Sequence, residues 1–398
     1  MDSSRKPSRR LPGLDALRGA VMILMALDHV RDFFHVGAMS FSPTDLTKTS
    51  PILFLTRWIT HFCLPVFVFT SGTGAFLWYR QNNHTFRELS RFLWTRGLWF
   101  IVLELTVMQF AYNFNLSSRF PIILLILWIF GICMILLAAL IYLPMPWLLT
   151  FSAAGIALHN SLDRLKVTGT LAPIWRIIHQ PGLLTLSGHA FLVTYTLLPW
   201  IAVMSAGFCF GRVFYWEAPE RQRIMRRMGC SLIVGFIALR AINLYGDPLP
   251  WSPQKSDVFT ALSFLNCTKY PASLDFLFMT LGPALFVLAY FDRHSFSAKN
   301  PLIIFGRVPM FYFILHFYLI HALAVIMAWL RYGNPAVSFI FNPLPSMGGP
   351  RQLFPSNFGY SLGVAYLIWI LVVVSLYPVC KWFANVKSRR RSWWLSYL

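Results

Sequence analysis

Charge is what this sequence has least of. Asp, Glu, Lys and Arg together make 12% of the chain, about half their share in an ordinary soluble domain. Hydrophobic residues make 57%, more than a water-soluble protein of this length has interior to hide. Period-two alternation over short segments, the mark of a transmembrane barrel, is also missing. The helix is then the remaining way to satisfy every backbone hydrogen bond in lipid. Cysteine is scarce and badly spaced for chemistry: Cys63, Cys133, Cys209, Cys230 and Cys380 lie in apolar stretches and Cys267 stands alone. That pattern excludes a disulfide framework and a thiolate metal site. No chelating cluster, phosphate-cradling loop or nucleophile elbow occurs, so no metal is implied. No low-complexity linker or internal repeat interrupts the chain, which reads as one domain over 1–398.

What is present is length of apolar run. Residues 122–143 and 362–379 carry no charge, and a helix needs about 20 predominantly apolar residues to cross the hydrocarbon core. Spans are read near 14–35, 52–79, 91–113, 121–143, 146–160, 190–215, 229–245, 271–291, 302–330 and 360–384. The fold class is therefore all-α, a polytopic transmembrane helical bundle of about ten spans. The net charge of +20 would suggest nucleic acid in a soluble protein. Here Lys and Arg gather in alternate loops, with clusters at Arg221, Arg223, Arg226, Arg227 and at Lys387, Arg389, Arg390, Arg391. Such one-sided clustering places both termini in the cytoplasm, with 1–13 and 385–398 as basic tails. The partner is a lipid bilayer and not nucleic acid. The first span contains Asp15 and Arg18 and has no convincing cleavage site, so it reads as an uncleaved start-transfer helix.

Ionisable groups inside spans are costly and mark functional sites by default. The first span is the densest, with Asp15, Arg18, Asp28, His29, Arg31 and Asp32. Arg18 and His29 are eleven residues apart, which puts them on one face about 16 Å apart along the axis. Asp32 shares that face and is the expected holder of the His29 imidazole, while Asp28 points about 100° away, toward Arg31 or another helix. The second span brings Arg57 and His61 to the level of His29, with Pro65 placed to kink it. Glu104, Arg240, Asp275, His316 and His321 recur singly in later spans. A cavity ringed by histidines and arginines in the outer half of the bundle would satisfy them together. Each also has a structural reading: Arg18 snorkelling to headgroups, Asp15 capping its helix, Glu104 pairing with an arginine, and His316 and His321 making structural hydrogen bonds.

The segment Leu14-Asp15-Ala16-Leu17-Arg18-Gly19, followed by Met25-Ala26-Leu27-Asp28-His29, resembles the opening of the heparan-alpha-glucosaminide N-acetyltransferase-like bacterial membrane proteins. These fall in a wider transmembrane acyltransferase (acyltransferase-3-like) group, whose signature of arginine, ten residues, then histidine is matched by Arg18 and His29. Similar stretches follow at Thr56-Arg57-Trp58-Ile59-Thr60-His61, Leu198-Pro199-Trp200-Ile201, Tyr270-Pro271-Ala272-Ser273-Leu274 and Gly306-Arg307-Val308-Pro309. The resemblance implies a multi-pass protein of the bacterial inner membrane that moves an acetyl or acyl group from acyl-CoA to a sugar amine or hydroxyl. In the lysosomal members an asparagine stands at the position of His29 and the catalytic histidine lies further on, a place that His35 or His61 would fill here.

Acyl transfer needs a base with pKa near 7, which suits histidine. The developing oxyanion needs donors in a dry site, and CoA phosphates need cations. His29 is accordingly the candidate base or acyl carrier, with Asp32 to orient it and His61 to assist. Arg18, Arg57 and Arg240 are the candidates for binding acetyl-CoA and the oxyanion. Asp28, Glu104, His316 and His321 are further intramembrane polar candidates. The alternative is a secondary transporter with an intramembrane His/Glu proton relay through His29, His61 and Glu104.

Overall fold

The computed structural model describes residues 11–390 apart from 39, 82, 115–120, 335–354 and 356. Most of the two basic tails and most of the 331–359 loop therefore lie outside the described residues. The remainder is overwhelmingly helical, in the order α1 (Pro12–Phe34), α2 (Pro51–Thr60), α3 (Cys63–Gln81), α4 (Phe86–Leu103), a π-turn (Glu104–Met108), α5 (Gln109–Asn113), α6 (Ile126–Leu140), α7 (Met145–Leu158) and α8 (Ala172–Ile178). It continues with α9 (Leu197–Phe210), α10 (Ala218–Ile242), α11 (Asp257–Leu265), α12 (Leu274–Arg293), α13 (Pro301–Arg307), α14 (Pro309–Tyr332) and α15 (Leu362–Arg389).

Five helical segments are long and apolar enough to cross a bilayer: Pro51–Gln81, Leu197–Tyr215, Leu274–Arg293, Pro309–Tyr332 and Leu362–Arg389. Ile126–Leu140 is apolar but shorter. On α15 the large side chains Leu367, Leu371, Val374 and Trp382 stand exposed, as expected of a face that meets lipid instead of water. Two details differ from the sequence reading. A small sheet of β1 (Ile122–Leu124), β3 (His189–Val193) and β2 (Gly182–Leu186), in that order, takes residues assigned to the fourth and sixth spans. In addition, the kink expected at Pro65 is a break between α2 and α3 at His61–Phe62. Pro65 has no N–H for the His61 carbonyl four residues back, and its ring crowds that carbonyl, so the ladder fails there.

The ends of the helices are written in the sequence. Ser50, Ser273 and Ser361 accept from the backbone of Leu53, Phe276 and Val364, each satisfying one of the N–H groups a helix start leaves unpaired. Thr85 and Glu88 form a reciprocal capping box at α4, the T-x-x-E signature. α1 is the hub. It packs on α2, α3, α12, α13, α14 and α15 and buries Asp28, His29 and Arg31 along with its apolar residues. Its neighbours come close through small residues: Gly19 of α1 faces the Leu302 carbonyl of α13, and Gly306 of α13 faces the Asp15 carbonyl. Between α3 and α9, Gly72 meets the Met204 carbonyl and Gly207 the Phe69 carbonyl. Backbone-to-backbone contact of this kind gains dispersion where no hydrophobic effect drives helices together.

Candidate functional site

The break after α2 turns the last turn of that helix toward α1, and the two meet through charge. Asp28 accepts from Arg31 at 2.9 Å and from Arg57 through its other oxygen. Arg31 also reaches Asp32, at 2.6 Å. The result is a chain of alternating sign, Asp32–Arg31–Asp28–Arg57, that ties α1 to α2. It continues to Tyr270, whose hydroxyl lies 3.5 Å from Arg57, and to Tyr195, 3.3 Å further on. Charged groups at this depth are tolerated because each is paired and hydrogen-bonded.

A cavity of about 100 Å³ opens beside this chain. Its polar wall is Asp28, His29, Asp32, Arg57, Lys269 and Tyr270, and its floor is apolar, with Met25, Phe67, Phe313 and Phe317. The volume suits a few waters or a group the size of acetyl, not a whole sugar or nucleotide. His29 is 8% exposed, and neither of its ring nitrogens has a hydrogen-bond partner in the structure. Its ring packs on Phe317, with centroids 4.0 Å apart. With no protein group bonded to either nitrogen, the imidazole is open to whatever occupies the cavity.

Four expected residues thus meet here: Asp28, His29, Asp32 and Arg57. The expected Asp32–His29 contact is not made. Arg31, one residue away, offers Asp32 a charged donor, which a neutral imidazole cannot match. His61 is buried one turn beyond Arg57, outside the cavity lining, with its ring on Phe276 and its Nδ1 unpartnered. His35 sits at the end of α1, where its Nδ1 accepts from the Gly37 N–H. Arg18 lies at the other end of α1 and donates to the Thr70 carbonyl.

Three of the other candidates serve the scaffold. Arg240 donates to the carbonyls of Phe264, Leu249, Ser263 and Asn266 at 2.9–3.1 Å and lies beside Asp247 and Asp275. Four of the five N–H groups of this guanidinium are thus committed to loop carbonyls, and Arg240 is absent from the cavity lining. It fixes the loop that carries Lys269 and Tyr270. Among the described residues Glu104 pairs with no arginine. Its carboxylate accepts from the backbone of Leu125, Leu127 and Trp128 and from the Tyr112 hydroxyl, capping the start of α6. His321 donates through Nδ1 to the Ala111 carbonyl at 2.6 Å and stacks on Phe114, away from the cavity. His316 lies behind His29, with ring centroids 5.2 Å apart.

The cavity also holds Lys269, Tyr270, Tyr195 and Tyr112, none of which is among the site residues expected from the sequence. The one sequence signal for them is the Tyr270-Pro271-Ala272-Ser273-Leu274 stretch, which carries the family resemblance but no chemistry of its own. Among the described residues no group of His, Cys, Asp and Glu is arranged to hold a metal ion. A search of curated proteins finds no match. Residues 10–242, over half of the chain and including α1 to α10 with His29, Arg57 and His61, match the family described as heparan-alpha-glucosaminide N-acetyltransferase, catalytic. The chain belongs to the heparan-alpha-glucosaminide N-acetyltransferase catalytic family.

Proposed function

We propose that this protein is an integral membrane acyltransferase that moves an acetyl group from acetyl-CoA to a sugar amine or hydroxyl, with His29 as the base. The observation that carries the reading is the unspent His29 imidazole in an acetyl-sized cavity beside the Asp28–Arg57 pair. Attack on the thioester carbonyl requires the acceptor to lose a proton, and a free histidine nitrogen takes it. The carbonyl oxygen gains charge in that step. Arg57, held by Asp28 with Tyr270 next to it, supplies a fixed donor without reorganisation. Asp32 acts through Arg31, which it holds against Asp28. The apolar floor receives the methyl group.

Arg18, at the opposite end of α1, is assigned to the CoA phosphates, and His61 to a supporting role in the wall behind Arg57. In this arrangement α1 spans from the donor's side to the acceptor's side, both termini lie in the cytoplasm, and the chain crosses about ten times. The bacterial inner membrane is the setting the family resemblance suggests. The transporter alternative loses its carboxylate relay, because Glu104 is occupied in capping α6.

Transfer of labelled acetyl groups by purified protein in proteoliposomes tests the reading. His29→Ala is expected to lower turnover about 10²–10⁴-fold while the melting temperature holds. His61→Ala should cost less than His29→Ala, and Arg18→Ala should act mainly on the KM for acetyl-CoA. Full turnover in a well-folded His29→Ala protein would pass the role of base to His61 or His35. No transfer by the wild type to any amino sugar or sugar hydroxyl would sink the acyltransferase reading.

A further inference from the structure

A base that must present a lone pair to its substrate needs its second ring nitrogen held as a donor, because that bond fixes the tautomer. In many hydrolytic sites a carboxylate does this. Neither nearby carboxylate bonds to His29: Asp28 is held by Arg31 and Arg57, and Asp32 turns one oxygen to Arg31. The Tyr112 hydroxyl is spent on Glu104 and the Cys63 thiol on the Val21 carbonyl.

His316 is different. It is 0% exposed and is clamped in the bundle between Tyr312, stacked at 14°, and Phe317. Its Nδ1 lies 3.1 Å from the Tyr312 carbonyl. A carbonyl only accepts, so Nδ1 carries the hydrogen. In the neutral ring the lone pair is then on Nε2, and Nε2 is buried without a partner. The His29 and His316 ring centroids are 5.2 Å apart at 46°. Two imidazoles joined by an N–H···N bond of about 3 Å have centroids roughly 5 Å apart, so the spacing already fits. The two rings are not bonded as they stand; the bond forms when the His29 ring turns about its outer side-chain torsion, which is broad for histidine, while His316 stays clamped.

We propose that His29 and His316 form a histidine dyad in which the neutral His316 Nε2 accepts the second N–H of His29 and so aims its other nitrogen's lone pair into the cavity. This inference rests on the acyltransferase reading for its consequence, but its geometry does not. His29 takes the proton of the acceptor's N–H or O–H as the new bond to the acetyl carbon forms. The C–S bond of the thioester then breaks, and His29 returns that proton to the departing CoA sulfur. Throughout, its other N–H stays bonded to His316. Because the orienting group is uncharged, the resting site carries no added buried charge. His316 is a positioning residue and does not touch substrate.

Two variants separate this role from packing. His316→Phe keeps a ring between Tyr312 and Phe317 but removes the acceptor, and His316→Gln restores an acceptor oxygen near the place of Nε2. We expect His316→Phe to lower kcat at least tenfold with the KM for acetyl-CoA within twofold, and His316→Gln to recover most of kcat. Nitrogen-15 spectra of histidine-labelled protein in nanodiscs give a second readout that needs no turnover. The His29 signals, assigned by their loss in His29→Ala, should report one tautomer in the wild type and a mixture in His316→Phe. Equal kcat for the wild type and a folded His316→Phe protein, or His29 signals that His316→Phe leaves unmoved, would overturn the dyad. If the wild type transfers no acetyl group, the proposed activity falls, and the nitrogen spectra still decide the dyad.

Discussion

Asp28 and Arg240 show how a charge inside a bundle can serve opposite ends. Asp28 holds Arg57 at a cavity wall, whereas Arg240 ties off four carbonyls of one loop. From sequence Arg57 and Arg240 look alike, since each stands in an apolar stretch. Only the fold reveals which has carbonyls waiting around it. Arg240→Ala would leave those carbonyls and the nearby Asp247 and Asp275 unpaired, with an expected loss of about 3–5 kcal/mol. Thermal melting in detergent would read this as a large fall in Tm, while CoA binding to the folded fraction stays as in the wild type. An unchanged Tm together with weakened CoA binding would return Arg240 to the donor site. The first span was the most legible part of the site, because residues on one helix obey a 100° rule that sequence spacing reveals. Lys269 and Tyr270 were not legible, because they reach the same cavity from a loop more than two hundred positions away.

Among the elements, helix starts carry a local signature and helix contacts carry none. The T-x-x-E sequence at Thr85 and Glu88 forms a capping box: Glu88 accepts from the Thr85 N–H at 2.7 Å and Thr85 from the Glu88 N–H at 3.2 Å. Those bonds to Thr85 hold the Glu88 carboxyl below the usual carboxylate range. A depressed value means the stabilisation is complete above the unfolded carboxyl's pKa of about 4.3 and is lost as pH falls through the folded one. Amide exchange over residues 85–89 should therefore quicken below about pH 4 in the wild type. In Glu88→Gln that acid step should be missing, and a step of the same size there would remove the cap from the account.

The pairing of α3 with α9 could not be foreseen, because a glycine in sequence does not say whose carbonyl it faces. A Cβ on Gly207 would run into the Phe69 carbonyl, which is backbone and cannot rotate away. Gly207→Leu is expected to cost at least about 1–3 kcal/mol. Gly363→Ala meets nothing nearer than the Ser361 hydroxyl at 3.9 Å and should be neutral, or stabilising by up to about 1 kcal/mol. Equal melting temperatures for these two variants would refute the close approach of α3 and α9.

For the whole molecule, composition alone indicated a helical membrane protein, since low charge and long apolar runs leave few other solutions. The small three-stranded sheet escaped notice because strands of three to five residues are too short to show a period. Orientation rests on Lys and Arg, whose clusters at Arg221, Arg223, Arg226 and Arg227 line one end of α10. We expect the C-terminus on the cytoplasmic side. A reporter fused there that works only after export should stay silent, while one that works only in the cytoplasm should be active. The opposite pattern would invert the whole arrangement, placing His29 on the donor's side.

The charged chain that joins α1 to α2 also bears on how the protein is made. An isolated Arg or Asp at the centre of a membrane helix costs about 2.5–3.5 kcal/mol on insertion, and α1 carries Asp28, Arg31 and Asp32 while α2 carries Arg57. Pairing across the two helices removes most of that penalty, but only once both are present. The first helix therefore gains by waiting at the translocon for the second, so that the two enter lipid as a hairpin with their charges already matched. The bridge that shapes one wall of the cavity would then be the first tertiary contact the nascent chain makes.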